Sequence, residues 1–186
     1  MKTFIFTLLI LISVPSAWAN TSSKNIKSST DVSRSISSGQ SILFHIKTSL
    51  KHDDAQICVA YNVIWASINK GLDVKVLIDA DAVNTYKFNF FGSDKLGGYK
   101  LPTNLRNALA TQFSLSFEET PESYGKYIRM LKNKGVKFYI NSGMLVVAGI
   151  EEKLGETKNL TVDFFTPITF DQMVDLFEES ATIVTY

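Results

Sequence analysis

The chain has 186 residues, 45% of them hydrophobic, with 19 lysines and arginines against 18 aspartates and glutamates for a net charge of +1. That balance argues against a nucleic-acid partner, which would be met by a basic face or tail. The single cysteine, Cys58, excludes an internal disulfide.

Residues 1–19 read as an export signal. Lys2 gives the positive start, residues 4–14 the apolar core, and Ala17, Trp18 and Ala19 a small-x-small cleavage site. The apolar run is too short to span a bilayer comfortably and no cysteine near the cut offers a lipid attachment point, so no stable membrane insertion is expected after cleavage. The reading predicts a periplasmic or secreted protein starting at Asn20, with a retained N-terminal anchor as the alternative. Lys2 is the only charge removed, which leaves 18 basic and 18 acidic groups and a net charge near zero. Residues 20–40 are rich in Ser, Thr and Lys and poor in large apolar groups, so they read as a flexible leader.

The remainder, 41–186, is long enough for one domain with its own core. Residues 41–47, SILFHIK, form an apolar run of strand length, and Asp53 or Asp54 supplies a helix start. Ile57, Cys58, Tyr61, Ile64, Trp65 and Ile68 then recur at threes and fours on one helical face. Cys58 belongs to that stripe as a small core hydrophobe; a reactive thiol would need an exposed, electropositive setting. Gly71 ends the helix. Residues 73–78, DVKVLI, give the second strand and run into Asp79 and Asp81. These two carboxylates read either as turn and helix-start caps or as a metal or general-base pair. His45 and His52 show no metal-ligand spacing.

Residues 84–118 read as an inserted loop with a helix opening at Pro102, and its aromatic run at 86–91 reads as local core or as a ligand or subunit contact. Thr120 and Pro121 suggest the cap and first position of another helix, which Gly135 ends. Residues 136–140 form the third strand and 142–148 a short helix. Residues 160–165 read as a fourth strand broken by Pro167, 169–178 as an amphipathic helix and 181–186 as a last strand. Such alternation implies a mainly parallel sheet covered on both faces.

Residues 135–149, GVKFYINSGMLVVAG, are the expected focus of function. A strand there meets a helix start across a tight turn, and ligands in open α/β sheets gather beyond the carboxyl ends of strands. There is no GxGxxG after the first strand, no phosphate-loop lysine and no GxSxG elbow. A triad built from Ser142, a histidine and an aspartate is conceivable but has no supporting motif. Nothing points to a cofactor or a metal.

The body, from Ile42 to Tyr186, resembles the DsrE/DsrF-like family of small α/β proteins, which includes sulfur-relay subunits. The resemblance rests on HDDA at the first helix start, KGLDVKVLIDADAV, NKGVKFYINSGMLVVAGI and DQMVDLFEESATIVTY, and it is closest to exported members. It implies a three-layer α/β/α sandwich with a mainly parallel five-stranded sheet, a site after the third strand and assembly into a homo-oligomer. Sulfur-handling members place a cysteine after that strand, sometimes with another three residues on. Here those positions are Asn141 and Met144, and a carboxamide cannot replace a thiolate nucleophile. The expectation is a protein, more binding module than enzyme, that holds a small ligand or a protein partner at Asn141, Ser142, Gly143 and Met144, with Asp79 and Asp81 nearby. The alternatives are a sulfur carrier using Cys58 or a partner's cysteine, and a structural subunit of a homo-oligomer.

Overall fold

In a computed structural model the described residues are 39–89, 92–94 and 96–186. The export signal at 1–19 and the leader up to residue 38 lie outside them, as do Phe90 and Phe91 of the aromatic run.

Five strands carry the architecture: β1 (Ser41–Ile46), β2 (Asp73–Ile78), β3 (Lys137–Asn141), β4 (Thr166–Ile168) and β5 (Thr182–Thr185). All pair in parallel in the order β4-β3-β2-β1-β5. The helices are α1 (Asp54–Asn69), α2 (Thr103–Phe113), α3 (Tyr124–Asn133), α4 (Ser142–Val147) and α5 (Phe170–Glu178).

The chain steps outward from β1 to β4 and then returns across the sheet to β5. Because parallel crossovers are right-handed, reversing the direction of travel moves the connecting helix to the opposite face. The core divides accordingly. Phe44, Val76, Phe138 and Ile140 meet Ile57, Tyr61 and Ile64 of α1, Tyr127 and Ile128 of α3 and Leu145 of α4. On the other face Leu43, Leu77 and Ile168 meet Met173 and Leu176 of α5. Lys75 also lies under α5, its stem buried and its Nζ reaching Glu179 Oε2 at 3.0 Å.

Local signals explain most boundaries. Asp53 caps α1 by accepting from Gln56 N at 2.8 Å, and Gly71 takes φ 77° just after the helix. Two expectations fail. Residues 160–165 are not a strand: Leu160, Val162 and Phe165 are buried in the main core as an irregular segment, and the strand is Thr166–Ile168. β4 lies at the sheet edge, where Pro167 is tolerated because no ladder partner is needed beyond it. The cap of α3 is Ser123 rather than Thr120, with Ser123 Oγ accepting from Lys126 N at 3.3 Å. Thr120 is diverted, donating to Phe117 O and accepting from Arg106 Nε. Among the described residues no helix is long and apolar enough to cross a membrane.

Candidate functional site

Parallel register brings three strand ends level, with Ile46 beside Ile78 and Ile78 beside Ile140. Side chains alternate across a strand, so His45, Asp79 and Asn141 continue the rows of Leu43, Leu77 and Tyr139 and point to the α5 face. They meet there. Asp79 Oδ2 accepts from His45 Nε2 at 2.9 Å, and Asp79 Oδ1 accepts from Asn141 Nδ2 at 2.7 Å and Ala80 N at 2.7 Å. The His45 hydrogen bond is the main reason the Asp79 carboxyl sits low, at about 2; burial pulls the other way, while Asn141 and the Ala80 N–H add to the lowering. An ionised Asp79 can only accept, so the proton of this bond sits on His45 Nε2 and Nδ1 is the ring nitrogen that Asp79 does not use. Among the described residues no protein group hydrogen-bonds that Nδ1. Phe177 of α5 packs beside the imidazole at 5.4 Å between ring centroids.

The turn after β3 is internally satisfied. Asn141 is 1% exposed, and its Oδ1 caps α4 by accepting from Met144 N at 3.1 Å while its Nδ2 serves Asp79. Ser142 is 2% exposed, and its Oγ accepts from Gly155 N at 2.6 Å. That bond ties the turn to the 149–155 loop, and among the described residues Ser142 has no hydrogen bond to His45. Gly143 lies against the Phe170 ring, where a Cβ would come within 2.9 Å of Cζ. Met144 gives its backbone N–H to the cap and packs its side chain on the main core. Asn141 therefore acts as an orienting group for Asp79, and the turn presents no free carboxamide.

Asp79 and Asp81 are not a pair. Ala80 between them takes φ 47°, a left-handed conformation that costs about 1 kcal/mol for a residue with a Cβ, and the two carboxylates find separate partners. Asp81 Oδ2 accepts from His52 Nδ1 at 2.7 Å and Ser49 N at 3.3 Å, and its Oδ1 accepts from Asn84 Nδ2 at 3.1 Å. Slight burial raises the Asp81 carboxyl, but hydrogen bonds from Ser49 and His52 and the His52 charge outweigh it, and the net shift is downward. Asp79 also caps the short 3-10 turn at Ala80–Thr85, so capping is part of its role. Among the described residues no three His, Cys, Asp or Glu side chains gather as a metal ion needs.

Beside Asp81 opens a cleft of about 240 Å³ between the loop after β1 and the segment after β2, with Lys51, His52, Asn84, Lys87 and Tyr99 in its walls. Sequence spacing missed both histidines as site residues. The usable signal was topological: His45 ends one strand and Asp79 follows the neighbouring parallel strand, so their side chains meet once the register is known.

Cys58 stands apart from all of this, half-buried on α1. Burial pushes its thiol up from the ordinary value, and Asn62 Nδ2 lies 3.7 Å from Sγ.

No family model matches the sequence, and neither does any curated protein. Among solved structures the chain is similar to the YchN protein of E. coli, at 12% identity and a TM-score of 0.51, over 79% of this chain and 99% of that one. That likeness establishes the architecture, and the protein has a DsrE-like α/β fold.

Proposed function

We propose that this chain is an exported binding protein which holds a small ligand or a protein partner at the carboxyl edge of its sheet, in a sulfur-related setting and without a covalent nucleophile of its own. The observation that carries the reading is the joining of His45, Asp79 and Asn141 across three strand ends, level with the turn where sulfur-handling members of the resembled family carry cysteine. A buried carboxamide that orients a carboxylate, which in turn orients a histidine, is an arrangement for presenting one face of an imidazole. His45 Nδ1 and the Asp81 cleft are the groups with capacity left for a ligand. NMR of the isotope-labelled protein with a library of small neutral and charged fragments tests this. Shift changes should cluster on His45, His52, Asp79 and Asp81, and changes confined to other surfaces would overturn it.

The alternative, a sulfur carrier using Cys58, requires an accessible thiolate. The raised thiol of Cys58 weighs against it. Alkylation of native Cys58 at neutral pH should run at least about tenfold slower than in the denatured chain; equal rates, with persulfide formed from a sulfur donor, would restore the carrier reading. A homo-oligomer has one specific support: Phe170 and Val174, one turn apart on the outer side of α5, are 63% and 53% exposed.

A further inference from the structure

We infer that the cleft beside Asp81 is a site for a small oxyanion, a carboxylate or phosphate group carried on a compact polar molecule. The inference rests on reading the carboxyl edge as a ligand site and names the ligand chemistry. Lys51 and Lys87 both line the cleft, and among the described residues neither has a carboxylate within ion-pair distance. Lys87 Nζ donates to Asn84 Oδ1 at 2.8 Å, a neutral acceptor that leaves its charge uncompensated.

Asp81 does not neutralise them. Its oxygens are taken by Asn84 Nδ2, Ser49 N and His52 Nδ1, so the one carboxylate of the cleft is already surrounded by donors. With His52 neutral the lining carries two positive charges against one negative, and protonation of His52 adds a third positive charge.

The floor adds donors without acceptors. Thr85 is 8% exposed and its Oγ1 accepts from Leu50 N at 2.9 Å, which leaves the hydroxyl proton to be given away. Among the described residues it has no acceptor, and the Tyr99 hydroxyl has no partner. A buried donor such as the Thr85 hydroxyl costs free energy until an acceptor arrives, while Tyr99 is half-buried. Two ammonium groups, a threonine hydroxyl and a tyrosine hydroxyl together call for an anion with several acceptor oxygens. At about 240 Å³ the cleft is smaller than the ~300 Å³ at which drug-sized ligand pockets begin, which suits a compact molecule.

The test is isothermal titration calorimetry of the full exported chain at low ionic strength with three probes: inorganic phosphate, succinate and the cation ethanolamine. Saturable heat is expected with phosphate, succinate or both, and the tighter of the two names the source of the oxyanion. Ethanolamine should give none. Lys51→Met combined with Lys87→Met should weaken that binding by at least about tenfold, the equivalent of about 1.4 kcal/mol. Lys51 is exposed and Lys87 half-buried, and methionine keeps the apolar stem of each, so the variant should keep the fold, which far-ultraviolet circular dichroism checks. No saturable heat with either anion, or unchanged affinity in the double variant, would overturn the inference. If neutral fragments still shift His45 and His52 while both anions fail, the carboxyl-edge reading stands and the oxyanion assignment alone falls.

Discussion

Asp79 accepts three hydrogen bonds, from a ring N–H, an amide and a backbone N–H, and each of them favours its charged form. Its carboxyl falls from an ordinary 3.8 to about 2. A folded-state value below the unfolded one means stability that is full above about pH 4 and is lost as the pH falls through 2. The shift would correspond to about 2 kcal/mol in a dry site, and about 1 kcal/mol after allowing for the solvent that still reaches the pair. Asp79→Asn removes the titration but keeps an oxygen acceptor. Urea unfolding between pH 4.5 and 2 should therefore show a flatter loss of stability in Asp79→Asn than in the parent, and parallel curves would remove Asp79 from the acid response. Cys58 shows the opposite case, in which half-burial raises a thiol from its ordinary value. The apolar stripe of α1 placed Cys58 against the core, and it packs there partly buried.

At the level of elements, α5 is the one helix among the described residues on its face of the sheet, which it covers through Met173 and Leu176. Its start is held by a capping box: Thr169 Oγ1 accepts from Gln172 N at 3.4 Å and Gln172 Oε1 accepts from Thr169 N at 2.9 Å. Thr169→Ala should cost about 1 kcal/mol in urea unfolding. A loss below about 0.3 kcal/mol would mean that packing rather than the cap fixes this helix. β1, β2, α1 and α5 were legible from run length, caps and periodicity. β4 was not. Leu160, Val162 and Phe165 make an apolar run of strand length, yet this segment packs on the main core, with Phe165 edge-on to Tyr86 at 4.9 Å. A three-residue edge strand containing Pro167 has too little pattern to compete with it.

For the whole molecule, the uneven covering of the sheet is the main consequence of the topology. One face is closed by α1, α3 and α4; the other has α5, with Phe170, Val174 and Ile183 exposed nearby. If the chain self-associates through that side, Val174→Lys should shift its sedimentation toward monomer at concentrations where the parent is assembled, with no change in circular dichroism. An unchanged distribution would place any assembly elsewhere. The alternation of apolar runs and capped helices determined the parallel α/β fold by itself, because periodicity and turn chemistry are local properties. It also marked Asp79, Asp81 and Asn141 as lying near strand ends. Only the tertiary structure decided what those residues do. The register carries His45 to Asp79 and leaves Asn141 buried between Asp79 and α4, while the left-handed turn at Ala80 separates the two aspartates and gives Asp81 to His52. Such meetings depend on which strands are neighbours and on which face a side chain projects, and no local spacing in the sequence encodes either.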